Sequence, residues 1–92
     1  MAEVMTKQGL LPYQKIEPPV SSFSDIIGKN GYTMIGNIQS LTDKPTDVNG
    51  NYGMVEIISN GSAHCLLRLT TVTNKTYAKY YVNPNWTEWK EL

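Results

Sequence analysis

The feature that most limits what this chain can fold into is its C-terminal third, residues 63–92, AHCLLRLTTVTNKTYAKYYVNPNWTEWKEL. Three runs rich in β-branched, aromatic and leucyl residues are separated by short turn signals, Thr73-Asn74-Lys75 and Asn83-Pro84-Asn85, and this spacing predicts an antiparallel meander. Immediately upstream, residues 52–59 read as a strand, and the Asn60-Gly61 that follows is the strongest hairpin signal in the chain. Residues 31–38 read as an earlier strand, joined to 52–59 by a polar loop over 39–51 that is long enough to cross over or to carry a surface function. Before that strand, Ser22 is placed to cap a short helix, with Asp25 three residues on and Phe23, Ile26 and Ile27 on one face; Gly28 ends it. The expected fold is mainly β, a small antiparallel meander of about five strands with one short N-terminal helix, over residues 21–92. Residues 1–20 are broken by Gly9, Pro12, Pro18 and Pro19, and read as an extended arm with sticky points at Leu10, Leu11, Tyr13 and Ile16.

Register turns this pattern into faces. A two-residue turn at Asn60-Gly61 pairs Ser59 with Ser62, Ile58 with Ala63, Glu56 with Cys65 and Met54 with Leu67. If Asn74-Lys75 makes the next turn, Tyr80 falls opposite Leu69 and Ala78 opposite Thr71. The expected core face is then Met54, Ile58, Ala63, Cys65, Leu67 and Leu69, with Glu56 out of place on it. The other face collects Val55, Ile57, His64, Leu66, Arg68, Tyr77, Lys79 and Tyr81, a mixture of apolar, Tyr and Arg side chains expected at the centre of an interface. A sheet used on both faces predicts an oligomer, with Val55, Ile57, Leu66, Arg68, Tyr77 and Tyr81 as contact residues.

A chain of 92 residues makes one small domain and buries only about 60–65% of its unfolded surface, so help from oligomerisation is expected. Eight Lys plus Arg balance eight Asp plus Glu, which leaves no net field to recruit nucleic acid or an anionic membrane. No secretory signal and no apolar run of membrane-spanning length is visible, so the chain is expected to be made and kept in the cytosol unless released by lysis. His64 is the only histidine and cannot form a zinc site by pairing; Cys65 beside it points to the opposite strand face and reads as a buried structural thiol. Asp43, Asp47, Asn49 and Asn51 invite a calcium test, but Tyr52 stands where an EF-hand loop needs Gly and Ile58 where it needs Glu. No catalytic residue, metal or cofactor is assigned. Trp86 and Trp89, three apart, would point to opposite faces of a regular strand. An outward ring can stack on a sugar, which makes Trp86, Tyr81 and Tyr77 the candidate ligand-binding residues, although packing is the weightier role for either tryptophan.

Taken together, several segments give the chain a resemblance. Asp25 is followed by Gly31-Tyr32-Thr33-Met34-Ile35-Gly36, a loop with Lys44-Pro45-Thr46-Asp47, Tyr52-Gly53-Met54-Val55-Glu56-Ile57, a hairpin, Thr76-Tyr77-Ala78-Lys79-Tyr80 and the closing Trp86-x-x-Trp89. In order and spacing, residues 23–92 resemble the pyocin knob family of phage tail fibres and tailocin receptor-binding proteins. The resemblance implies a homotrimeric, non-enzymatic component of a virion or tailocin tail. It would work beside other tail proteins and attach to bacterial cell-wall or envelope glycans. Such knobs normally follow a long fibre stem, whereas a short arm precedes this one; the family supplies no catalytic residues to carry over. Two alternatives remain: a trimer-registering assembly module without host contact, and an accessory domain of a tail-associated cell-wall hydrolase.

Overall fold

Strict alternation of buried and exposed residues through four strands builds one sheet with a single covered face. The computed structural model describes residues 12–92, so the expectations for Gly9, Leu10 and Leu11 lie outside the described residues. The strands are β1 (Gln14–Lys15), β2 (Gly31–Ile35), β3 (Gly53–Asn60), β4 (His64–Thr71), β5 (Thr76–Val82), β6 (Asn85–Trp86) and β7 (Lys90–Glu91), with 3₁₀ helices at Phe23–Ile26 and Ile38–Ser40. They form one sheet in the order β1-β2-β3-β4-β5-β6, with β7 also on β5. All pairings are antiparallel except β1 with β2. The mainly β meander expected from the sequence is therefore present, its last strand split in two and an extra edge strand added.

The expected faces need correction. Asn60 pairs with His64, so the hairpin loop is the three residues Gly61-Ser62-Ala63 rather than a two-residue turn. A two-residue turn of the mirror-image kind needs positive φ at both central positions, and of Asn60 and Gly61 only Gly61 has it, at 61°. The register moves by three, and because a strand has a period of two, an odd shift exchanges its faces. Val55 and Ile57 therefore lie opposite Leu69 and Leu67 in the core, while Met54, Glu56 and Ile58 face outward. The next connection shifts by three as well. Asn74 takes the left-handed φ of 65°, Leu69 pairs with Tyr77, and Tyr77, Lys79 and Tyr81 turn inward instead of Ala78 and Tyr80. Of the six expected contact residues, Leu66 and Arg68 are on the open face; Val55, Ile57, Tyr77 and Tyr81 are core.

The covering layer is made from what looked peripheral. Ser22 and Asp25 form the expected capping box, and Phe23 and Ile26 of that short helix are buried against the sheet. The loop between β2 and β3 is a second lid, burying Ile38, Leu41, Pro45 and Val48. Gln39 ties its ends together through its side-chain amide to the Val48 and Gly50 carbonyls, and Asn51 Oδ1 accepts from the Gln39 amide. Residues 12–20, read from the sequence as part of an arm outside the core, lie along β2 from Gln14 instead, with Ile16 joining the core cluster and Pro19 buried. This close approach requires Gly31, with φ of 157°: a Cβ there would lie 1.6 Å from the Gln14 carbonyl oxygen.

Candidate interaction face and the lysine cage

Two sites stand out, one on each side of the sheet. The first answers where the predicted ligand aromatics go. Tyr81 pairs with Trp86, but Ala78 pairs with Lys90, so one residue is gained between β6 and β7 around Thr87-Glu88-Trp89. That bulge cancels the odd spacing of the two tryptophans and brings both to the covered face, where a regular strand would have turned one outward.

Between their rings sits Lys79. Its Nζ lies 4.3 Å from the Trp86 ring centroid and 4.6 Å from that of Trp89, with Phe23 further off at 5.8 Å. Asp43 supplies the countercharge, its Oδ2 being 3.5 Å from Nζ, with the Lys79 side chain only 4% exposed and that of Asp43 26%. The same aspartate accepts from the Phe23 amide through Oδ1 (2.8 Å), and its main-chain carbonyl accepts from Trp89 Nε1 (2.7 Å). Trp86 Nε1 donates to Ser24 Oγ (3.0 Å). One ammonium thus joins β5, the last strand, the first 3₁₀ helix and the loop after β2. Burial lowers the Lys79 pKa, and Asp43 pulls in the opposite direction; the negative faces of the two indoles also favour the charged form.

The candidate ligand set is therefore a packing cluster. Tyr77 is buried, and its hydroxyl makes no close hydrogen bond among the described residues, with the Asp47 carboxylate further off; burial first, then the Asp47 and Glu91 carboxylates, raise its pKa. Tyr81 is buried, donating its hydroxyl to Asn83 Oδ1. Trp86 is partly buried, with Lys79 over its ring and Tyr81 tilted against it at 5.0 Å, so its ring is engaged in packing.

The second site is the open face. Among the described residues twelve large hydrophobic side chains are exposed. Ten of them share this face: Tyr32, Met34, Met54, Ile58, Leu66, Tyr80 and Val82 by strand alternation, Tyr13 through its ring, tilted against Tyr32 at 5.7 Å, and Tyr52 and Val72 one residue beyond the ends of β3 and β4. Their exposures amount to on the order of 1,000 Å² of surface, tyrosine hydroxyls and backbone included and most of it apolar, against about 300–600 Å² for the largest apolar patch on a typical monomer. Glu56 and Arg68 are cross-strand partners at its centre, which explains the acid that was out of place in the expected core. Sequence reading found Leu66 and Arg68 of this face and missed its tyrosines, because the register put Tyr80 inside and left Tyr13 in the arm.

A concavity of about 670 Å³ lies where β1 leaves the edge of β2, bordered by Lys15, Lys29 and Glu17. It is wide and of mixed charge. A smaller depression of about 180 Å³ lies in the open face itself. The class these features define is a small, single-sheet β domain with one packed and one unpartnered apolar face. Compared with protein-family models, curated proteins and solved structures, the chain gives no match. Among the described residues no helix is long and apolar enough to cross a membrane.

Proposed function

We propose that the chain is a non-enzymatic knob module of a phage or tailocin tail fibre. It assembles as a homotrimer through its open sheet face and leaves the remaining surface to bacterial cell-wall or envelope glycans. The observation that carries this reading is the gathering of ten exposed large hydrophobics, four of them tyrosines, on one side of one sheet. A face of that size in water favours association, and it exceeds the roughly 800 Å² that each partner contributes to a standard interface. The order of segments from Asp25 to Trp89, resembling the pyocin knob, supports the fibre assignment. Within such an assembly the open face takes the contact role that the sequence assigned to Val55, Ile57, Tyr77 and Tyr81.

Light scattering coupled to size exclusion, run over a hundredfold range of protein concentration, tests the assembly; sedimentation with purified bacterial cell walls tests the attachment. The expected outcome is a trimer that co-sediments with walls. A chain that stays monomeric at the highest concentration refutes the assembly, and a trimer left in the supernatant with every wall preparation refutes the attachment.

A further inference from the structure

The open face is not flat. Tyr13, Glu56, Ile58, Leu66, Arg68 and Ala78 enclose its depression of about 180 Å³. The depression exists because the row across the sheet at this level, Tyr32-Glu56-Arg68-Ala78-Lys90, has only a methyl group at Ala78, while the next level on this face carries the larger Leu66–Tyr80 pair. Its volume falls well below the roughly 300–1,000 Å³ of a small-molecule pocket, and suits a single side chain. Its chemistry is that of a phenol site. The walls are apolar, a carboxylate and a guanidinium stand at the rim, and the Tyr13 hydroxyl faces that same Glu56 carboxylate. A phenol entering here meets an acceptor and a donor together, without leaving either charge unpaired.

The open face supplies such a phenol. Tyr13 and Tyr32 cover one another, and Tyr80 lies against His64. Tyr52 pairs with no ring among the described residues and is 64% exposed. One side of its ring lies over Gly36, where a Cβ would stand 3.3 Å from Cε1, and the rest is open to a partner. A mostly exposed tyrosine has a large area to bury on docking and few rotatable bonds to fix, which are the marks of an interface anchor.

We infer that Tyr52 of one copy inserts into the depression formed by Tyr13, Glu56, Ile58, Leu66, Arg68 and Ala78 on the open face of a second copy. The inference rests on the oligomeric reading above and adds its anchor. The face is suited to its own kind: its exposed area is about what each partner gives a standard interface, and the Glu56 of one copy can meet the Arg68 or Lys90 of another.

Sedimentation equilibrium on the wild type, Ala78→Trp, Tyr52→Ala and the double variant tests it. Ala78→Trp fills the depression from the open side, and Tyr52→Ala removes the anchor at an exposed position, which keeps the test open if the first variant unfolds. Each single variant is expected to weaken association at least about tenfold, and the double variant to be no weaker than the worse single one, because both act on one contact. Far-UV circular dichroism at concentrations where the wild type is monomeric should show all of them folded. A wild type that associates while either single variant that folds associates equally well overturns the anchor and leaves the oligomeric reading standing. A wild type that is monomeric throughout, including one whose open face binds purified cell-wall glycan instead, overturns both.

Discussion

Replacing either partner of the Lys79–Asp43 pair removes one charge, yet the two changes should differ in cost. Lys79→Met leaves the Asp43 carboxylate, which is about a quarter exposed and keeps its bond from the Phe23 amide. Water can solvate most of what was lost, and methionine fills the space between the indoles. The expected destabilisation is about 1 kcal/mol. Asp43→Asn leaves an ammonium that is 4% exposed without its paired carboxylate, with Glu88 still acting on it from further off. Stranding a buried charge costs roughly 3–5 kcal/mol, and two cation–π contacts offset part of it, leaving about 2–3 kcal/mol. Adding Lys79→Met to Asp43→Asn should then recover stability, since the stranded charge is gone. Urea denaturation followed by far-UV circular dichroism at pH 7 reads these differences, and a loss of 2–3 kcal/mol corresponds to roughly 10–20 °C in melting temperature for a domain of this size. The pH dependence gives a further check. Burial lowers the Lys79 pKa in the folded state, so the unfolded chain holds this proton to higher pH, and raising pH towards the ordinary lysine value favours folding. The deficit of Asp43→Asn should therefore shrink in alkali. A Lys79→Met variant less stable than Asp43→Asn, or a double variant less stable than Asp43→Asn alone, would refute the reasoning.

Three further outcomes follow from single sites. Gly31→Ala should lose about 3 kcal/mol or more, because its Cβ would meet the Gln14 carbonyl and β1 would have to leave the sheet edge; an unchanged urea midpoint would show the edge strand to be dispensable. Tyr77→Phe removes a buried hydroxyl that makes no close hydrogen bond among the described residues and only a long-range approach to Asp47, and should be neutral or stabilising by up to about 1 kcal/mol; a comparable loss would mean that the hydroxyl bonds that carboxylate in solution. Asp25 accepts from the Ser21, Val20 and Ser22 amides, in that order of effect, which lowers its pKa. Its contribution is complete above the ordinary carboxylate range and is lost as pH falls through the lowered folded value. Between about pH 5 and pH 2 the wild-type melting temperature should therefore drop further than that of Asp25→Asn, and parallel curves would count against the capping carboxylate.

What could be read from the chain depended on range. The strands were legible because Val, Ile, Leu and Tyr alternate within short runs, and the capping box because Ser22 and Asp25 are three residues apart. The faces were not, because they turn on whether a connection holds two residues or three, and Asn60-Gly61 begins either. One clue was visible: Glu56 sat uncomfortably on the expected core face, while moving β3 by an odd step places it opposite Arg68. Lys79 had no such local sign. Its burial depends on Asp43, thirty-six residues earlier, and on a bulge in the last strand, neither of which its neighbours encode. For the same reason Trp86 and Trp89 looked like a divided pair.

The bulge around Thr87-Glu88-Trp89 makes the length of this segment a kind of information separate from its composition. A side chain on a strand has two directions available, so a spacing of three keeps both indoles on the lysine only while one residue is bulged out; the same residues in a regular strand would turn the second indole from the lysine to the water. When this fold is aligned with other sequences or used as a scaffold, a one-residue gap at 87–88 would therefore mark the loss of the bulge and not of the cage, as two tryptophans spaced by two on a regular strand face the same lysine.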